Sequence, residues 1–194
     1  MSIEREVAAA PSDTEKAEVL KKLAGIWYSA GRADISGYYA QEIADLLNTE
    51  DAWSIAGTTN MLGARKTGEK KIRDFCFSNA ITAFENAISI NPTNYSHKVN
   101  LALCFTENPP QDNPMKGILM LVGYNQEAPE NVLILTTLAR LAIQTNQFDK
   151  AIERLNTAVR LEPENKKANC LLVQAYDGLG NKEKAAQYAA KCID

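Results

Sequence analysis

The sequence holds a single histidine, His97. A histidine-dependent triad or a histidine-ligated metal needs partners that it lacks, so it is expected as a surface residue on a helix. Cysteine is scarce too: Cys76, Cys104, Cys170 and Cys192, none in a CxxC pair. That spacing supports no metal site. Each thiol lies among apolar helical neighbours, where free cysteine acts as a small hydrophobe, and the long separations argue against a disulfide. No charge of one sign prevails. With 21 Lys and Arg against 24 Asp and Glu, the net charge of -3 offers no overall field for nucleic acid or an anionic membrane. The local exception, Arg65, Lys66, Lys70, Lys71 and Arg73, is interrupted by Gly68 and Glu69 and carries no aromatic platform, so it reads as a solvated loop and helix start.

Long apolar runs are missing as well. The longest, Ile118 to Tyr124, is far short of a bilayer span, so no membrane insertion is expected. Ser2 to Asp13 carries Glu4, Arg5 and Glu6 and has no apolar core of a signal peptide. A cytoplasmic chain is the expectation, or a membrane-anchored or periplasmic one if a leader has been removed. GxSxG, P-loop, HExxH and GxGxxG motifs are all lacking. The paired carboxylates Glu50 and Asp51, and Glu162 and Glu164, fall at helix starts, where capping and the helix dipole explain them. Neither catalysis nor a cofactor is expected.

What the sequence does contain is a period. Ala80, Phe84, Ala87 and Pro92 recur as Ala151, Leu155, Ala158 and Pro163, with a degenerate copy at Gly117, Leu121, Tyr124 and Pro129. Pro129 and Pro163 lie 34 residues apart, as do Ala151 and Ala185. A fixed period of this length means stacked helical hairpins, which offer an extended surface suited to binding.

Five hairpins are expected, at about 17–49, 50–94, 95–131, 132–165 and 166–194, in one domain over 14–194 behind a frayed tail at 1–13. Ser12 to Glu15 reads as a capping box that starts the first hairpin. Ala30-Gly31-Arg32 breaks it, and Asn48-Thr49 closes it. In the second hairpin, the glycines and charges of Gly63 to Glu69 predict an exposed loop that absorbs an insertion of about eleven residues relative to the period. In the third, Asn113 and Pro114 predict the cap and first position of a helix. Gly117 to Tyr124 could be a buried strand taken alone, but its place in the period makes it a helix.

These residues resemble tetratricopeptide repeats, over 17–194 and with most specificity from 132 onward. Leu135, Leu138, Ala139, Ala142, Phe148, Ala151, Leu155, Ala158 and Pro163 carry the pattern in the fourth hairpin; Leu172, Tyr176, Gly180, Ala185, Ala189 and Cys192 stand in its places in the fifth. The resemblance implies an all-α, right-handed superhelical solenoid and an adaptor that binds an unidentified protein or peptide, with no nucleic acid. It implies a groove of first-helix residues comprising Tyr28, Thr58, Asn100, Leu103, Arg140, Ile143, Gln144, Gln174 and Asp177. One subgroup of that family grips C-terminal carboxylates; here Lys21 fits one clamp position, but Gly25 and Ile55 stand where asparagines are needed, so a chaperone-tail receptor is not expected. An alternative is a self-associating module that stacks through the last helix, where Tyr188, Ala189, Ala190 and Ile193 are expected to be exposed.

Overall fold

A computed structural model describes residues 3–192 of the chain. Among them are eleven α-helices and no strand: α1 (Ile3–Ala9), α2 (Asp13–Ser29), α3 (Ala33–Leu47), α4 (Glu50–Lys66), α5 (Lys70–Ile90), α6 (Tyr95–Glu107), α7 (Lys116–Glu127), α8 (Val132–Gln144), α9 (Phe148–Leu161), α10 (Lys166–Gly178) and α11 (Lys182–Ala189). Helices α2 and α3, α4 and α5, α8 and α9, and α10 and α11 pack against one another in pairs. Where the sequence predicts one domain over 14–194, the chain forms two compact units, residues 1–117 and 118–194.

The repeat is visible in turn chemistry. Three hairpin turns close identically: Gly31, Asn146 and Gly180 adopt positive φ of 78°, 58° and 73°. At each, the next residue's N–H bonds five residues back, Arg32 to Trp27 O, Gln147 to Ala142 O and Asn181 to Tyr176 O, at 2.8–2.9 Å. This is the Schellman closure, which satisfies carbonyls that a helix end leaves open. Junctions between hairpins share a second device, Pro-x-Asn. Pro92, Pro129 and Pro163 stop one helix; Asn94, Asn131 and Asn165, two residues on, cap the next by accepting from Ser96, Ile134 and Ala168 N–H at 2.9–3.2 Å. Ser12 caps α2 as expected, accepting from Glu15 N at 3.2 Å.

In the unit of residues 1–117, Ala80, Ala83, Phe84 and Ala87 of α5 are fully buried. The small side chains let α4 approach, and Gly57 completes the fit: a Cβ there would lie 2.6 Å from the Phe84 ring. Phe84, enclosed in this way, contributes about 2 kcal/mol by burial. In the unit of residues 118–194, Ala139, Ala151, Leu155, Ala158, Leu172 and Ala175 form the corresponding core.

Several expectations are corrected. The frayed tail is helical over Ile3–Ala9, and Val7 packs on Ala17, Leu20 and Ile43. The exposed loop at 63–69 shrinks to Thr67-Gly68-Glu69, because α4 runs on to Lys66 and the extra residues lengthen α4 and α5 to 17 and 21 residues. Gly63 is a close-packing residue: a Cβ there would lie 2.8 Å from backbone atoms of Asp34 in α3. Helix α7 begins at Lys116, two residues after Pro114; Asn113 and Pro114 form the turn before it. The span Gly117 to Tyr124 is helical, as the period requires.

His97 lies in the core, 3% exposed. Its Nε2 meets Glu50 Oε1 at 2.7 Å, and the same carboxylate accepts from Asn91 and Asn94 Nδ2 at 2.9 and 2.8 Å. The start of α4 is thereby tied to the α5–α6 junction, and the hydrogen bonds from Asn94, Asn91 and His97 hold the Glu50 carboxyl at about 2. Cys170 and Cys192 form a disulfide with Cα atoms 4.7 Å apart. The antiparallel α10/α11 hairpin sets both residues the same distance from its turn at Asn181, which cancels their separation in sequence. Cys76 and Cys104 are free and buried, and burial pushes their thiols up to about 11 and about 12.

Candidate functional site: a slot between α2 and α4

First helices of adjacent repeats pack side by side in this architecture, and α8 and α10 do so in the second unit. In the first unit α2 and α4 do not: no Cα of one comes within 8 Å of the other. The gap is a slot of about 530 Å³, walled by α2 and α4 and floored by α3. Along α2 it runs from Lys21 to Ser29, which at helical rise is about 12 Å.

The side chains sort by depth. Ala40 and Ile43 of α3 form the floor, 5% and 7% exposed. Ala24, Gly25 and Tyr28 form one wall and Ala52 and Ile55 the other. Tyr28 and Ile55 remain 55% and 60% exposed, although each is large and apolar. Exposed apolar side chains that share one concavity mark a binding surface more than scattered ones do. Polar groups stand at the two ends. Lys21 and Asp51 lie at one; Ser29, Ser36 and Thr59 lie at the other. Lys21 is paired with Glu18 at 2.6 Å, while Asp51 has no ion pair among the described residues. Gly25 opens the middle: a Cβ there would meet nothing within 4 Å.

Of the residues that the repeat register nominates in this unit, Tyr28 lines the slot. Thr58 is exposed but donates back to the Ser54 and Ile55 carbonyls of its own helix at 2.9 and 3.1 Å. Asn100 is half-buried, and Leu103 is core, 8% exposed. Helix α6 is buried through Val99 and from Leu101 to Phe105, so a register that assumes one open face does not apply to it. The register missed Ile43 and Thr59. It touched Lys21, Gly25 and Ile55 through the clamp comparison alone, and there the signal was present: small and apolar residues where a polar clamp would stand.

In the second unit, Arg140 and Ile143 of α8 are half-buried and Gln144 is exposed, as are Gln174 and Asp177 of α10. Ile143 packs against the core. Burial and the nearby Arg140 charge hold the Lys167 ammonium below its ordinary value, so this face carries two neighbouring cations. Tyr188, expected to be exposed, is half-buried and stacks on Tyr176 with centroids 5.9 Å apart. Ala189 is half-buried and Ala190 exposed; Ile193 lies outside the described residues.

The basic run is partly neutralised. Arg65 donates twice to Glu107, at 2.7 and 2.6 Å, and Lys70 pairs with Asp74. The sequence offers this run no aromatic platform, whereas the fold sets Tyr38 and Phe75, 44% and 49% exposed, beside Lys71 in a smaller cleft between α3 and α5. Among the described residues no cluster of His, Cys, Asp and Glu could hold a metal, and no helix is long and apolar enough to cross a membrane.

Residues 136–193 match the model of the tetratricopeptide repeat. By sequence, no curated protein matches the chain. Among solved structures it is similar to TTC0263, a thermophilic TPR protein of Thermus thermophilus, at 16% identity over 91% of this chain and 87% of that one, with a TM-score of 0.63. It is similar to MamA of Desulfovibrio magneticus RS-1 at 16% identity over 91% and 92%, TM-score 0.53. It is similar to YrrB, a TPR protein with an unusual peptide-binding site, at 14% identity over 100% and 92%, TM-score 0.50. At these identities the likeness is one of fold. Residues 136–193 carry the tetratricopeptide repeat, and the chain shares the all-α fold of these TPR structures.

Proposed function

We propose that the chain is a protein–protein interaction module without catalytic activity, which holds an apolar segment of a partner in the α2–α4 slot. The observation that carries this reading is the slot itself. Rigid helices hold Tyr28 and Ile55 largely exposed around a concavity that their own neighbours leave unfilled. Filling it removes apolar surface from water at little conformational expense to the module, because its walls are already ordered. Peptide binding in the YrrB fold is consistent with this use of the architecture. On the second unit, Arg140, Gln144, Gln174 and Asp177 form a polar first-helix face suited to hydrogen-bonded contacts with a partner.

A photo-crosslinking amino acid placed in turn at Tyr28, Ile55 and Ser78, an exposed position of α5, tests the reading. A partner captured from the native cell at the first two positions and not at the third supports it. Equal capture at all three positions refutes it.

A further inference from the structure

We infer that the segment held in the α2–α4 slot is an amphipathic α-helix, with apolar anchors at i, i+3 or i+4, and i+7 and a basic residue at the end that lies over Asp51. This inference rests on the binding reading above and deepens it.

The first argument is hydrogen bonding. An extended peptide brings backbone N–H and C=O groups that need partners wherever it is buried. The lining of the slot includes no Asn, Gln, Arg or His. Ala24, Gly25, Ala40, Ile43, Ala52 and Ile55 fill its middle, and the walls are helices whose backbone groups are already paired within themselves. Hydroxyls stand at the ends, and one of them, Thr49 Oγ1, already accepts from Ala52 N–H at 3.3 Å. A helix satisfies its own backbone and presents side chains alone, so it enters such a slot with nothing unpaired.

The second argument is size. Anchors at i and i+7 are about 10.5 Å apart along a helix, which matches the run of about 12 Å from Lys21 to Ser29. The slot volume of about 530 Å³ accommodates three large apolar side chains. The third is charge. Lys21 is already engaged by Glu18, which leaves Asp51 as the acid without a counter-charge at that end.

The test uses the full chain and two displayed peptide libraries. One is stapled as helices with apolar residues varied at i, i+4 and i+7. The other is linear, with prolines that bar helix formation. Binders are measured by fluorescence anisotropy against the wild type, Gly25→Trp and Ile55→Lys. Both substitutions leave the fold intact, since Gly25 faces open space and Ile55 is exposed; unchanged circular dichroism checks this. The expected result is binders from the stapled library, weakened tenfold or more by each substitution. Asp51→Lys weakens those with a basic flank and spares those without. Binders from the linear library alone that are sensitive to Gly25→Trp overturn the helix and leave the slot standing. No binder sensitive to Gly25→Trp from either library overturns both.

Discussion

Two glycines of the first unit, each inside a helix, are predicted to respond to alanine with opposite signs. Gly25 of α2 and Gly63 of α4 are both helical in the structure, and an intrinsic helix scale predicts that alanine stabilises at either position by about 0.5–1 kcal/mol. Space separates them. A Cβ at position 25 meets nothing within 4 Å, so Gly25→Ala keeps that gain. A Cβ at position 63 lies 2.8 Å from both Cα and N of Asp34, backbone atoms in the first turn of α3 that no rotamer change can move. Overpacking costs about 1–3 kcal/mol, and contact with fixed backbone puts it at about 2–3 here, which against a gain of up to about 1 leaves Gly63→Ala destabilised by about 1–2 kcal/mol. For a chain of this size that amounts to a loss of about 2–8 °C in midpoint, against a rise of about 1–4 °C for Gly25→Ala. The assay is specific to the region, because both tryptophans, Trp27 and Trp53, belong to the unit of residues 1–117 that holds both glycines. Tryptophan fluorescence during thermal unfolding thus reports that unit without assuming that the whole chain unfolds in one step. A Gly63→Ala midpoint at or above wild type refutes the close-packing account of α3 against α4.

Other predictions follow from single contacts. Leu155, fully buried in the second unit, loses about 2–5 kcal/mol on conversion to alanine, read as a lowered midpoint by circular dichroism. Reducing Cys170–Cys192, which lie 22 residues apart, lowers the stability of the α10/α11 hairpin by about 3 kcal/mol on a loop-entropy estimate; hydrogen exchange in α11 should rise in a Cys170→Ser/Cys192→Ser variant and little elsewhere. Glu50 is held at about 2, below the ordinary 4.5. A carboxylate whose folded value is depressed stabilises above its unfolded value and loses that contribution as pH falls through the folded one. The first unit is therefore expected to weaken between pH of about 4.5 and about 2, and Glu50→Gln should flatten that part of the tryptophan-monitored profile.

The hairpin boundaries were legible because prolines, glycines and apolar positions share one period, and the turns that realise it are local chemistry. At Gly63 the sequence is ambiguous for a physical reason: glycine marks both a turn and a close approach, and only the neighbouring helix distinguishes them. His97 looked like a surface residue because its partners, Glu50 and Asn94, come from a helix start 47 residues away and from the cap of its own helix. The disulfide did carry a signal. Cys170 and Cys192 are symmetric about the turn at Asn181, a mirror relation that separation along the chain conceals. Leu103 failed because register assigns a helix position, whereas exposure depends on how many neighbours enclose that helix.

The slot arises where the repeat departs from its own rule. In the second unit, which carries the sequence match to the repeat, α8 and α10 pack against each other. In the first unit α4 is bound closely to α3 at two levels. Asn60 Nδ2 donates to Gly37 O at 3.0 Å, and Gly63 abuts Asp34. On its other face it is bound to α5, where Gly57 receives the Phe84 ring. With α4 held by its two flanking helices, α2 keeps α3 as its partner, and the place where α2 and α4 would touch is left to Gly25 and Ile55. A small residue and an exposed isoleucine satisfy no packing need in the chain by itself. Local departures from consistency of this kind are what a binding site requires of a fold, because surface that the chain buried against itself would be unavailable to a guest.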